Sequence, residues 1–227
     1  TASGAIQTCS QSNASYWGGQ TPRHVACLRP AWSQPNPAAE ASASKSPTIA
    51  VFGRIQHWKG PHIVCEALRL MRSAPAIDWY GRDVPYGRHA STSDWLRHSY
   101  PEIWGRRIKP HEPISPGAVQ ARQSAALLNL VPSTWDVFNF TAVEAMASMR
   151  PLVCSNAAGA SELVEDGVTG FVYDGQSPAA LAETLDRALS LSAARLAEIG
   201  QRARETVMRI LKPETIAQAR LVAYRAL

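Results

Sequence analysis

The chain has 227 residues, room for one large domain or for one domain plus a fragment at roughly 150 residues per domain. Apolar residues make up 45% and charged residues 18%, which excludes general disorder, and no apolar run approaches the ~20 residues of a membrane-spanning helix. The net charge of +5 suits an anionic ligand, but 18 acidic residues are interleaved with 23 basic ones and no Lys/Arg stripe carries aromatic residues, which argues against a nucleic-acid surface.

The N-terminal piece contains AIQTCS (5–10) and HVACLRP (24–30), two short strands too small to bury a core of their own. Residues 33–47, rich in proline and small residues, read as a linker or surface loop. Beyond it the pattern is regular. TIAVFG (48–53) is a β-branched apolar run ending at Gly, followed by a helix over 60–72 with Ile63, Ala67, Leu68 and Met71 at helical spacing. AIDWYG (76–81) is a second strand. A helix over 92–99, a strand over 103–108, a helix over 115–124 and a buried strand LLNLVP (127–132) come next. The helix 140–149, the strand 151–155, a short helix over 159–165 and the strand 170–173 complete the strand-rich part. Helices over 178–190, over 193–211 and from Pro213 onward close the chain, the last with proline at a helix start, where its missing N–H costs nothing.

Strands and helices alternate, and the strands are continuous apolar runs. That is the pattern of a parallel sheet covered on both faces, so the fold class is α/β, a doubly wound Rossmann-like domain. Ligands of such sheets bind beyond the carboxyl ends of the strands, which directs attention to the loops 53–60, 81–87 and 132–140.

In the first loop Gly53 lets the backbone approach a ligand, Gly60 lies at the next helix start, and Arg54 and Lys59 add two cations. A diphosphate is the natural partner, because Arg binds it bidentately and Lys acts as a point charge. A charged surface turn is the alternative reading of the same spacing. The loop is neither a Walker P-loop nor a Gly-x-Gly-x-x-Gly fingerprint, which removes weight from NTPase and NAD readings. In the third loop Asp136 precedes a helix that holds Glu144, and the first amides of that helix, near Asn139 to Thr141, can receive an anion. Without other information the favoured reading makes Asp136 a turn or capping residue and Glu144 a solvated helix residue. His57 lies in the first loop, where it could reach a ligand, but it reads first as a surface histidine.

Cys9, Cys27, Cys65 and Cys154 are irregularly spaced with no Cys-x-x-Cys, so no zinc site or disulfide framework is expected, and a reducing, cytoplasmic compartment is. The chain starts with Thr and has no basic-then-apolar leader, which reads as a mature or cut-down product. No Asp-x-Asp occurs, so no metal is expected to clamp a diphosphate.

Taken together, these segments resemble the donor half of the retaining glycosyltransferases of family 4, the group 1 type with the GT-B fold. The resemblance rests on Gly53-Arg54…Lys59-Gly60, on Pro132-Ser133, and on Asp136…Glu144-Ala145-Met146-Ala147 in the place of a Glu-x7-Glu element. It continues through Pro151-Leu-Val-Cys-Ser155, Gly159-Ala-Ser-Glu162-Leu-Val-Glu-Asp-Gly167 and Gly170-Phe-Val, over most of residues 48–227. Asp136 stands where the family has Glu. Val137 and Asn139 stand where it has glycines flanking the phenylalanine, and Ala158 replaces the first glycine of the later turn. Asn tolerates left-handed dihedrals and Val does so poorly.

The resemblance implies a hexosyltransferase type of activity, moving a sugar from a nucleoside-diphosphate-sugar to an acceptor hydroxyl with retention and without a metal. It implies catalytic roles for Arg54 and Lys59 on the leaving diphosphate and for Asp136 on donor-sugar hydroxyls. Gly53, Gly81, Phe138, Asn139, Phe140 and Thr141 would line the donor, Glu144 would hold the ribose diol, and Lys109 to His111 would lie near the nucleotide. Residues 1–47 would be the end of an N-terminal acceptor domain, a crossover and a linker; residues 48–227 would be the donor domain with a helix crossing back. The expected partners are a nucleotide-sugar and the acceptor domain. Membrane association is expected only through that domain. The alternative reading is a non-catalytic nucleotide-sugar binding module or one subunit of a split enzyme.

Overall fold

The computed structural model describes residues 6–21, 25–33, 47–71 and 75–225. The proposed linker lies, but for its two ends, outside the described residues. Strands β1 (Ile6–Thr8) and β2 (Val25–Cys27) pair in parallel and are joined through helix α1 (Gln11–Gly18). No local sequence pattern signals this helix. QSNASYWG lacks an apolar stripe, and the helix forms because Ser10 caps it and because a distant side chain completes that cap, as described below.

The main body is a six-stranded, wholly parallel sheet in the order β5-β4-β3-β6-β7-β8. Its strands are β3 (Ile49–Phe52), β4 (Ile77–Tyr80), β5 (Ile108–His111), β6 (Leu128–Val131), β7 (Leu152–Ser155) and β8 (Phe171–Tyr173). The chain starts in the middle, builds outward through β4 and β5, then returns to the other side of β3 with β6. The connecting helices are α2 (Pro61–Leu70), α3 (Thr92–Ser99), α4 (Pro116–Ala125), α5 (Phe140–Ala147) and α6 (Pro178–Leu189), followed by α7 (Ala193–Ile210) and α8 (Pro213–Arg225).

Alternating strand residues feed opposite cores. Ile49, Val51, Ile77, Trp79, Leu128 and Leu130 join the helix α2 and α6 side. Val131, Leu152 and Cys154 join the α5 and α7 side with Val143, Met146, Ala203 and Val207. Burying an aliphatic side chain of this size contributes about 1.5–3 kcal/mol relative to exposure, so both faces must be covered for such strands to persist. The apolar runs of the sequence are explained by that double cover.

One strand differs from the expectation. Residues 103–107 form a turn, and the strand begins at Ile108. Ile103 and Trp104 are apolar and buried, as a strand would require. Their amides instead bond back to Tyr100 O at 3.0 and 2.9 Å, and Gly105, at φ 85°, reverses the chain. All four cysteines are free; Cys65 and Cys154 are buried, Cys9 and Cys27 half-buried. Among the described residues no helix is long and apolar enough to cross a membrane.

Candidate functional site

The sheet order reverses between β3 and β6, and the helices that follow these two strands, α2 and α5, pack into different cores, which places a crevice at the carboxyl edge. The loop after β3 is fastened on both sides. Gly53 N donates to Tyr80 O and Ile55 N to Arg82 O, each at 3.0 Å, and the buried Trp79 indole donates to Gly53 O at 3.0 Å. Gly81 is required here, since a Cβ on it would lie 2.0 Å from Gly53 O. On the other side Thr134 N donates to Trp58 O at 2.8 Å. Gly60, at φ 75°, lets the start of α2 pass so close to Pro132 that a Cβ would lie 1.8 Å from its carbonyl oxygen. The loop's single 3-10 turn, His57–Lys59, is backed by a stack of rings. His57 lies between His62 at 4.2 Å and Tyr86 at 4.9 Å, with Trp95 beside them. His57 is therefore half-buried in an aromatic stack and does not stand on the surface as expected. Burial, with His57 next, pushes His62 down to about 4, so its imidazole is neutral at pH 7.

The loop after β6 brings the second set. Asp136 N donates to Ala157 O and its carbonyl accepts from Gly159 N, both at 3.0 Å. Its carboxylate Oδ2 accepts from Lys59 Nζ, and also from Asn139 Nδ2 at 3.0 Å. Asn139 Nδ2 further reaches Ser133 Oγ at 3.3 Å. Asn139 has φ 74°, a left-handed conformation that Asn accommodates better than other non-glycine residues. Val137 does not have a positive φ, so of these two positions only Asn139 needs such a backbone. Asn139 stands at the N-cap of α5 without a side-chain capping bond; of the first-turn amides, Ala142 N donates to Asn139 O at 3.2 Å, and those of Phe140 and Thr141 precede the first intrahelical acceptor.

A cavity of about 480 Å³ opens at the carboxyl edge of β3 and β4, lined in part by Gly53, Arg54, Gly81, Arg82, Thr141 and Glu144. Phe52 and Tyr80 form its wall, stacked at 5.2 Å, and His111 stacks on Tyr80 at 4.6 Å while its Nε2 pairs with Asp78 Oδ1 at 2.7 Å. Lys59, Ser133 and Asn139 border a narrow crevice that shares Phe52 and Gly53 with this cavity. The Glu144 carboxylate, which lacks a hydrogen-bond or ion-pair partner among the described residues, is pushed above the ordinary glutamate range by burial. A half-buried acceptor without a donor suits a ligand hydroxyl.

The structure thus gathers Gly53, Arg54, Gly81, Thr141 and Glu144 on one cavity, with Lys59, Asp136 and Asn139 at its neighbouring crevice. Phe140 is 48% exposed beside them, whereas Phe138 is 4% exposed and packs in the core, so only its backbone is free to serve the loop. Its carbonyl accepts from Ala160 N at 2.6 Å. Tyr80, Arg82 and Ile114 were not singled out from sequence. Arg82 was legible as a cation in a strand-end loop; Ile114 carries no local signal. Among the described residues no three His, Cys, Asp or Glu side chains gather where they could hold a metal ion.

D-inositol 3-phosphate glycosyltransferase of Corynebacterium glutamicum (strain R) is 33% identical over 144 residues, 60% of this chain and 34% of that protein. The protein of the same name from Mycobacterium tuberculosis (strain F11) is 30% identical over 178 residues, 78% of this chain and 36% of that protein. The chain therefore spans about a third of the length of the curated relatives it matches. Among solved structures, HepE of Anabaena in complex with UDP and glucose superposes with a TM-score of 0.79 at 22% identity, over 98% of this chain and 63% of that one. Sucrose-phosphate synthase from Thermosynechococcus elongatus gives 0.80 at 23% identity, over 98% and 58%. At these identities the two structures show a shared fold. A family model described as glycosyl transferases group 1 matches residues 46–190, the stretch that builds the strand-end cleft, and the chain belongs to that family.

Proposed function

We propose that this chain is the donor-binding half of a retaining, metal-independent GT-B glycosyltransferase of family 4, which moves a hexose from a nucleoside-diphosphate-sugar to an acceptor hydroxyl. The observation that carries the reading is the convergence, at the β3/β6 reversal, of Arg54, Lys59, Glu144 and the first amides of α5. The relatives named for glycosyl transfer, and the HepE complex with UDP and glucose, support it.

Each group has a chemical task. Arg54 and Lys59 supply positive charge for a diphosphate, and that charge is worth most as the glycosidic bond breaks and the leaving diphosphate gains charge. The amides of Phe140 and Thr141 at the start of α5 add donors and the positive end of the helix dipole. Lys59 and Asn139 both bond Asp136 Oδ2, which orients the carboxylate and leaves Oδ1 as the acceptor for a sugar hydroxyl. Glu144, half-buried without a donor of its own, accepts from the ribose diol. Val137 and Asn139 carry side chains where the resembled family has none, which narrows the donor-sugar end.

The acceptor hydroxyl must be held against the anomeric carbon, and much of the rate acceleration comes from that positioning. The residues assigned above all serve the donor, so the acceptor is assigned to a separate N-terminal domain. The test is a titration of the 227-residue chain with UDP, GDP, ADP and their sugars, followed by thermal shift and calorimetry. A nucleoside diphosphate at one hundred times its Kd raises stability by about 2.7 kcal/mol. Arg54→Ala and Lys59→Ala each weaken binding, and Asp136→Ala acts mainly on the sugar-bearing ligand. EDTA leaves the affinity unchanged. Unaltered nucleotide affinity in the Arg54/Lys59 double variant overturns the phosphate assignment, and a tenfold loss with EDTA overturns metal independence. The chain alone transfers sugar negligibly; joined to an N-terminal half it transfers with retention, read by NMR of the product anomer.

A further inference from the structure

A second cavity, of about 460 Å³, lies where the segment after β2 meets the end of α7 and the first turns of α8. It shares no lining residue with the strand-end cleft. Its floor is apolar, with Leu28 and Ile216 both buried. Its walls carry three guanidinium groups, those of Arg29, Arg209 and Arg220.

Among the described residues the counter-charge is insufficient. Arg29 lies 3.6 Å from Glu162, but that carboxylate already accepts from the amides of Gln11 and Ser12, each at 2.9 Å. The nearby Glu214 pairs with Lys212 at 3.8 Å. Arg209 and Arg220 have no hydrogen-bond or ion-pair partner among the described residues, and the Nε atoms of Arg29 and Arg220 are buried with no acceptor. Three like charges around one concave, partly apolar space raise its potential, because low-dielectric walls focus the field. A bound anion relieves that repulsion and supplies the buried donors with acceptors. The guanidinium fork matches the oxygens of a phosphoryl group, and Thr215 adds a hydroxyl on the same wall. The space lies within the range of small-molecule sites and far exceeds a bare oxyanion, and its apolar floor suits a carbon skeleton.

We propose that this cavity is a binding site for a small phosphate monoester. Its phosphoryl group is held by Arg29, Arg209 and Arg220, and its skeleton lies over Leu28 and Ile216. Because the lining comes from β2 at one end of the chain and α8 at the other, the ligand fastens the N-terminal unit to the C-terminal helices. This inference stands apart from the nucleotide-sugar reading of the cleft.

The test is calorimetric titration of the chain with glycerol 3-phosphate and with inorganic phosphate at constant ionic strength, with sodium chloride as the control. Glycerol 3-phosphate binds more tightly than inorganic phosphate, Arg209→Gln/Arg220→Gln weakens it at least tenfold, and Arg54→Ala/Lys59→Ala leaves it unchanged. No binding beyond the chloride control overturns the proposal. So does a loss confined to the Arg54/Lys59 variant, which moves the phosphoryl group to the cleft. A second readout needs no variant. Cys27 lines the cavity and Cys9 does not, so glycerol 3-phosphate slows alkylation of Cys27 relative to Cys9, followed by mass spectrometry. Equal rates with and without the ligand overturn the proposal independently of how the arginine variants fold.

Discussion

The six-stranded sheet and the two-stranded β1–α1–β2 unit are both parallel, yet different forces hold them. In the first, strand residues point alternately into two cores, and Ile49, Ile77, Leu128, Leu152 and Val153 are fully buried. In the second, no residue of β2 is buried, and α1 exposes Tyr16 and Trp17. Cys9 and Trp32 pack on the α5 and α7 core, and polar contacts add the rest of the fastening. Glu162, from the turn after β7, accepts from the first amides of α1, and Trp32 N donates to Leu211 O at 3.0 Å. Ser10 packs so closely on Gly159 that a Cβ there would lie 2.7 Å from Ser10 Cβ. Hydrophobic burial is non-directional and shared among many residues, whereas a capping carboxylate is a single contact. Opening free energies should therefore differ sharply between the two regions.

The largest expected effect is on the body. Trp79→Ala removes a fully buried ring and the indole bond to Gly53 O, and should cost about 3–5 kcal/mol in denaturant unfolding. A loss below about 1 kcal/mol would show that the core does not carry the body. Gly60→Ala comes next. Its Cβ meets Pro132 O in a left-handed backbone position, so a cost of roughly 2–3 kcal/mol is expected, with loosening of the loop that carries Lys59. Unchanged stability with unchanged nucleotide affinity would contradict the packing of the two loops.

Glu162→Ala sharpens the contrast. It strips two exposed α1 amides of their capping acceptor, a cost of about 0.5–2 kcal/mol felt locally. Hydrogen exchange of Gln11 and Ser12 should accelerate while the protection of β3 and β6 holds; parallel loss in both regions would mean that they unfold as one unit. The smallest effect is at Glu144. Burial raises its folded value, so its contribution to stability is full below the ordinary glutamate range and is lost as pH rises through the raised value. Glu144→Gln should therefore stabilise the chain at pH 7 by under about 1 kcal/mol, since the group keeps some solvent screening. Over that same window its stability should not fall with pH as the parent's does. A parent whose stability rises with pH through the window relative to the variant would reverse the sign. Nucleotide affinity should fall in the variant, a trade of stability for binding.

Most of the body was legible because its signals are local. Runs such as IAVF and LNLV, the helical spacing of Leu196, Ile199, Ala203 and Val207, and prolines at helix starts each report their own structure within one element. The cations after β3 and the carboxylates around α5 were legible for the same reason. The misplaced strand at 103–108 shows where that logic fails. Burial selects apolar residues for a turn as readily as for a strand, and only the reversal at Gly105 distinguishes them.

What the amino-acid order determined by itself was the alternation of elements, the α/β class and the chemical types present in each strand-end loop. Only the tertiary structure decided which of them meet. Lys59 and Asp136 pair across 77 positions, and Glu162 caps a helix 151 positions away. His57 leaves the surface for a stack with Tyr86, and three arginines from the two ends of the chain face one cavity. These contacts depend on which strands lie side by side. Strand order is set by how two faces of apolar surface are covered at once, a property of the whole sheet that no window of sequence contains.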